Sequence, residues 1–154
     1  GLGAVFSVRL PAQFGSADSE FAPAEDPARA RVRVLLVEDN DDAADSLAMM
    51  LQSRGHSVVI ARDGVHALDA ARADPPDVML TDIGLPGIDG FEVARRVRAD
   101  ASLRNVMLVA LTGYGRGEDR ERAREAGFDR YLVKPIGSEA LRSLIARVSE
   151  RGRL

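Results

Sequence analysis

The sequence predicts an α/β domain in which a five-stranded parallel sheet is covered by helices on both faces, a three-layer sandwich. Two observations carry this expectation. From residue 32 onward, five short β-rich apolar runs alternate with five amphipathic segments, the order that builds right-handed βαβ crossovers. Four of the five runs are apolar almost without interruption, as strands buried on both faces must be. No internal repeat suggests another architecture.

Residues 32–37 read as the first strand. Ala44, Leu47, Ala48 and Leu51 then fall at i, i+3, i+4 and i+7, one helical stripe that stops at Gly55. The polar residues in front of that stripe, Asn40, Asp41 and Asp42, read as helix caps. After a second strand at 57–60, Asp63 is placed to cap a helix through Val65 and Leu68. A third strand at 77–81 leads to a helix marked by Phe91, Ala94 and Val97, following Gly90. A fourth strand spans 106–111. The helix after it, about 116–126, offers only Ala123 and Ala126 as apolar anchors among Arg and Glu, so it is predicted to be weakly held and exposed. A last strand at 130–133 precedes a helix whose stripe is Leu141, Leu144, Ile145 and Val148.

Composition narrows the function classes. A chain of 154 residues, 45% hydrophobic, has room for one cored domain and a tail. The absence of cysteine excludes disulfides, thiolate catalysis and sulfur-ligated metals, leaving oxygen ligands or two scattered histidines. His56 and His66 fit no metal-ligand spacing and read as packing residues. No apolar run approaches the roughly 18 residues of a membrane span and no secretion leader is visible, so a cytoplasmic, membrane-free segment is expected. A net charge of -3 argues against a nucleic-acid partner. Arg95, Arg96 and Arg98, and the arginines of 116–124, are interleaved with acids and read as solvated helix faces. The GYGRG stretch at 113–117 lacks the grammar of a nucleotide-binding loop. It reads as a mobile loop, with Tyr114 a loop residue.

Chemistry-bearing residues gather where the strands end: Glu38 and Asp39 after the first, Asp82 after the third, Thr112 after the fourth and Lys134 after the fifth. In open α/β sheets, sites form beyond the carboxyl ends of the strands. Carboxylates held about 4 Å apart repel by about 4 kcal/mol per pair at an effective dielectric near 20, so they stay ionised only beside a cation. An all-oxygen set with few protein ligands suits Mg²⁺, which keeps several waters and leaves room for phosphate oxygens. Lys134 is the only lysine in the chain, which suggests a position needing a compact ammonium rather than a planar fork; chance is the competing explanation. Lys134 and the Thr112 hydroxyl would then meet the oxygens of a phosphoryl group carried by Asp82. For Asp39 and Asp82 the bland alternative is helix capping. For Lys134-Pro135 it is a simple turn.

The stretches VRVLLVEDN, VMLTDIGLPGIDGFEVARRVR, VALTGYG and YLVKP make residues 32–150 resemble the receiver domain of two-component response regulators, with no departure at the motif positions. The resemblance implies a flavodoxin-like sheet of strand order 2-1-3-4-5. It implies that Asp82 accepts a phosphoryl group from a phosphohistidine donor with Mg²⁺, and that Glu38 and Asp39 form the acidic pocket. Asp39 would be the direct metal ligand and the Gly84 carbonyl a further one. Lys134 would pair with the phosphoryl group, across a cis bond to Pro135. Thr112 and Tyr131 would form the switch, Thr112 moving toward the phosphoryl group and Tyr131 turning inward; Tyr131 also reads as a plain half-exposed strand aromatic. The implied partners are a histidine kinase or histidine phosphotransfer protein and a downstream protein target. Turnover beyond self-phosphorylation and dephosphorylation is not expected. Dimerisation through the fourth helix, fifth strand and fifth helix stays open.

Ahead of the domain at 31–154, residues 13–30 are Ala, Pro, Ser and acids with isolated Phe14 and Phe21, a linker composition. Residues 1–12, beginning GLGAVFSVRLP, resemble the closing stretch of a histidine-kinase ATP-binding domain, which would make the chain the C-terminal receiver of a hybrid kinase; vector-derived or unrelated sequence is the alternative. The missing initiator Met is expected of such a fragment. Three rival functions are weaker. A haloacid-dehalogenase-like phosphatase wants a second Asp where Gly84 stands. A non-phosphorylated interaction module should have lost Asp82, Lys134 or the acidic pocket. A transcription factor needs a DNA-binding segment that the chain does not show.

Overall fold

The computed structural model describes residues 31–113 and 117–152. Five strands, β1 (Arg33–Val37), β2 (Ser57–Ala61), β3 (Val78–Asp82), β4 (Met107–Thr112) and β5 (Arg130–Val133), alternate with α1 (Asp41–Gln52), α2 (Gly64–Ala73), α3 (Gly90–Ala99), α4 (Gly117–Ala126) and α5 (Ser138–Arg151). A short 3₁₀ turn, Ala101–Leu103, follows α3. The sheet is parallel throughout, in the order β2-β1-β3-β4-β5, the flavodoxin-like arrangement expected.

Strand alternation divides the core in two. On one face Leu36, Leu80 and Leu111 pack with Leu47 and Leu51 of α1 and with Leu141, Leu144 and Ile145 of α5. On the other, Leu35, Met79 and Leu108 pack with Leu68 of α2, with Phe91 and Val97 of α3, and with Ala123 and Ala126 of α4. The central strands β1, β3 and β4 are buried almost throughout, which explains their unbroken apolar runs.

Several local expectations need correction. β3 and β4 each run one residue further than predicted, so Asp82 and Thr112 are the last residues of their strands and not the first beyond them. The ladder continues there because Asp82 still registers with Leu111 and the Ile83 N–H donates to the Leu111 carbonyl at 3.1 Å. Only Asn40 of the three polar residues before α1 caps it, accepting from the Ala43 N–H; Asp41 and Asp42 lie in the first turn, where carboxylates favour the helix dipole. Asp63 caps α2 as expected, through the His66 N–H, but the helix buries Ala67, Leu68 and Ala71, and Val65 is 54% exposed.

Arg98 departs furthest from the solvated-face reading. Arg95 and Arg96 do pair with Glu92 along the exposed side of α3, each at 3.0 Å. Arg98 turns inward and donates to the carbonyls of Gly127 at 2.9 Å, Val106 at 3.0 Å and Arg104 at 3.2 Å, and to the Asp129 carboxylate at 2.7 Å. Asp129 also accepts from the Leu108 N–H at 2.9 Å. One guanidinium thus joins α3 to the starts of β4 and β5, using the several donors of its fork. Gly127 permits the approach: its φ is +111°, and an added Cβ would lie 2.6 Å from Arg98 Cγ.

Thr81, beside Asp82, is fully buried, and its hydroxyl is the one buried side-chain polar atom without a partner among the described residues. It lies in a cross-strand row with Val37, Ala110 and Tyr131. An unpaired buried hydroxyl costs about 1–3 kcal/mol. Thr81→Val should therefore raise stability by about 1 kcal/mol, read as a higher urea midpoint at unchanged slope; a lower midpoint would mean that the hydroxyl holds an ordered polar partner.

Candidate functional site

β1 and β3 are neighbours in the sheet, so their carboxyl ends bring Glu38 and Asp39 beside Asp82. One oxygen from each of the three carboxylates lies within 4.8 Å of the others, and Glu38 is only 1% exposed. Lys134, just beyond β5, reaches in from the edge of the sheet. Its Nζ lies 2.6 Å from Glu38 Oε2 and 3.4 Å from Asp82 Oδ2. The lysine backbone is anchored as well, its N–H donating to the Thr112 carbonyl at 2.7 Å, and the Lys134-Pro135 bond is cis.

Glu38, Asp39, Asp82 and Lys134 meet in this crevice, Gly84 and Thr112 border it, and Tyr131 lies further back within β5. The Gly84 N–H donates to Asp82 Oδ1 at 3.1 Å and the Asn40 N–H to Glu38 Oε1 at 3.1 Å. Thr112 ends β4 one residue past the partner of Asp82 and is buried. Tyr131 registers with Ala110 and packs, partly buried, against the α2–α4 face of the core. Sheet alternation puts Thr112 and Tyr131 on that same face. Tyr114 lies outside the described residues. His56 accepts from the Val32 N–H at 3.3 Å and His66 pairs with Asp63.

The electrostatics of the crevice are set by burial and by excess negative charge. Burial pushes the Glu38 carboxyl above its ordinary range, against the pull of its hydrogen bonds from Lys134 and Asn40. Burial pulls the Lys134 ammonium down, but its bond to Glu38 and the charge of Asp82 outweigh that and hold it above its ordinary value. Three carboxylates face one ammonium. Within 4.8 Å each like-charged pair repels by about 3.5 kcal/mol or more at an effective dielectric near 20. The donor set is hard oxygen throughout, the set that a small divalent cation such as Mg²⁺ accepts.

Two supports went unrecognised in the sequence. The shortest contact of the crevice is Lys134 to Glu38 rather than to Asp82. Gly90 is the other: its N–H donates to the Ile83 carbonyl at 2.9 Å, and an added Cβ would lie 2.6 Å from the Asp82 carbonyl oxygen and 2.7 Å from Ile83 Cα. The visible signal was the Asp89-Gly90 pair before an apolar stripe, with Asp89 capping α3 through the Glu92 N–H.

Comparison with known proteins places this architecture. The model of the response regulator receiver domain family matches residues 34–146. The polar-differentiation response regulator DivK of Brucella ovis is 36% identical over 103 residues, 67% of this chain and 84% of its own length. A gliding motility regulatory protein of Myxococcus xanthus is 36% identical over 124 residues, 80% of this chain but 16% of that protein. Among solved structures, the receiver domain of a sensor histidine kinase from Pseudomonas aeruginosa, crystallised with a magnesium ion coordinated in its active site cleft, superposes with a TM-score of 0.73 at 35% identity, covering 79% of this chain and 99% of that one.

Because Gly90 seats α3 directly on the Asp82 backbone, Gly90→Ala should cost about 1–3 kcal/mol, the range for overpacking, and should shift the ¹³C resonance of the Asp82 carboxyl. Gly113→Ala, whose added Cβ meets nothing within 4 Å, is the control expected to leave both unchanged.

Proposed function

This chain belongs to the response regulator receiver domain family, the phosphoacceptor modules of two-component signalling, and from that premise we propose that Asp82 is the residue that takes the phosphoryl group. The observation that carries the proposal is the position of Lys134, whose ammonium lies between the buried Glu38 and the Asp82 carboxylate at the ends of parallel strands. An Asp82 oxygen would attack the phosphorus of a phosphohistidine in line. The new O–P bond forms as the P–N bond breaks, and the imidazole nitrogen leaves with the electron pair and takes a proton. The Gly84 N–H orients the Asp82 carboxylate during the attack. Lys134 and the Thr112 hydroxyl meet the phosphoryl oxygens, where charge is spread in the transition state.

Asp39, Asp82 and the Gly84 carbonyl are the proposed direct ligands of Mg²⁺. Glu38 completes the acidic pocket, with one oxygen on Lys134 and the other on the Asn40 N–H. When bound, the ion would supply charge neutralisation for the carboxylates and the incoming phosphoryl group. Thr112 and Tyr131 form the proposed switch: added charge of about -1.5 to -2 at Asp82 draws Thr112 in, and the Tyr131 ring follows into the space vacated. Receiver domains exchange phosphoryl groups with histidine kinases or phosphotransfer proteins, and such a protein is the proposed donor, in the cytoplasm. No helix among the described residues is long and apolar enough to cross a membrane. Residues 1–12 and 13–30 lie outside the described residues; we assign them to the end of a kinase ATP-binding domain and a linker, with 31–154 as the receiver of a hybrid kinase. The upstream reading frame should then encode a dimerisation helix with a phosphoacceptor histidine.

Incubation with acetyl phosphate and Mg²⁺ should add about 80 Da to the intact chain, one phosphoryl group. The gain should need Mg²⁺ and vanish in Asp82→Asn; no gain in folded protein would sink the proposal. Asp39→Asn should weaken Mg²⁺ binding, followed by calorimetry, by about tenfold or more, since a carboxylate near the ion contributes several kcal/mol even when well screened.

A further inference from the structure

Of the five helices, α4 has the thinnest hold on the sheet. Its buried residues are two alanines, Ala123 and Ala126, whereas α3 buries five residues, including Phe91 and Val97. The arginines of α4 are not alike. Arg124 pairs within the helix with Glu121. Arg120 and Arg122 form no ion pair with a described residue and reach across to aromatic rings on other elements. The Arg120 guanidinium lies over the Tyr131 ring, 5.4 Å from its centroid, and that of Arg122 lies over the Phe91 ring at 4.4 Å. Residues two apart on a helix point about 200° away from each other, so these contacts flank the alanine seam on its two sides. Each is a cation–π contact of the kind that guanidinium groups favour.

Both rings belong to segments that carry the site. Phe91 follows Gly90, which packs on the backbone of Asp82 and Ile83. Tyr131 lies on β5, three residues before Lys134. We propose that Arg120 and Arg122 are two clips that set the position of α4: the Arg120 clip opens when the Tyr131 ring turns inward, and the helix then pivots about the Arg122 clip on Phe91. The opening step rests on the Tyr131 switch proposed above; the clips themselves do not. The design would convert a ring rotation into a displacement of one edge of α4 while its other edge stays tied to the Asp82 segment. Partner proteins would then meet a repositioned helix rather than a detached one.

Amide hydrogen exchange by NMR on the full chain tests this in two arms. Without phosphodonor, Arg120→Gln and Arg122→Gln should each speed exchange of the α4 amides by about two- to fivefold, the factor expected for one exposed cation–π contact, with central β4 amides unchanged. Arg120→Gln should also move the ring resonances of Tyr131 and Arg122→Gln those of Phe91, and Arg120→Lys should restore part of the loss. Exchange at the wild-type rate in either glutamine variant overturns the clips. In the second arm, acetyl phosphate and Mg²⁺ are added and loading is followed by intact mass. Loaded wild-type protein should reach the α4 exchange rate of unloaded Arg120→Gln, loading should add nothing to that variant, and loading should add a further increase in Arg122→Gln. A loaded wild type that keeps slow α4 exchange overturns the opening step. Absence of loading overturns the phosphoacceptor reading and the opening step together, and the first arm still decides the clips.

Discussion

A buried carboxylate cannot remain charged without a partner, and the rest of this crevice is arranged around meeting that demand for Glu38. The side chain sits at the carboxyl end of a central strand, nearly sealed from solvent. Lys134, 96 residues later in sequence, supplies the ammonium at 2.6 Å. Removing one partner from such a pair leaves the other charge buried and uncompensated, a cost of several kcal/mol. That cost ties the last strand of the sheet to the first, and it places a positive charge within reach of Asp82.

The strand order explains why a lysine does this. β5 is an edge strand and β4 lies between it and β3, so a residue at the end of β5 must reach across a strand to meet Asp82. A long flexible stem with a compact charge can do so, and the bond from the Lys134 N–H to the Thr112 carbonyl fixes where the stem begins. Asp82 itself is placed from below and from the side. The strand ladder holds its backbone, Gly90 brings α3 against its carbonyl, and the Gly84 N–H holds a carboxylate oxygen. The geometry is therefore set by rigid elements, and of the three carboxylates Asp39 alone is exposed at the mouth of the crevice.

The helices differ in how firmly the sheet holds them. α1 buries a stripe of alanine and leucine and α5 one of leucine, isoleucine and valine, and both hold one layer firmly. On the opposite face α2 and α3 are well anchored, and α3 is locked further by Arg98, whose fork binds three carbonyls and the Asp129 carboxylate. α4 alone rests on alanines and ring contacts. A helix held so lightly is drawn from the low-stability end of the fold, where moving elements are found.

The layered fold, the five strands, the helical stripes and the residue types of the crevice can be read from the chain alone, because each is written in local periodicity or in residue type at a strand end. Even the scant apolar face of α4 was legible, as two alanines in a charged run. Asp82 and Thr112 were placed one residue outside their strands because a polar residue ends an apolar pattern before it ends a hydrogen-bonded ladder. Which residue partners which follows only from the folded sheet. Three arginines on α3 look alike in sequence, yet two face water and Arg98 is drawn inward by carbonyls at the starts of β4 and β5. Gly90 and Gly113 are the same residue type at two strand-to-helix connections, but only Gly90 comes against the Asp82 backbone. The Glu38–Lys134 bond, the packing of α3 on Asp82 and the reach of Arg120 and Arg122 to their rings all join residues far apart in the chain. Their strength depends on distance and burial, which the folded sheet creates and no local pattern records.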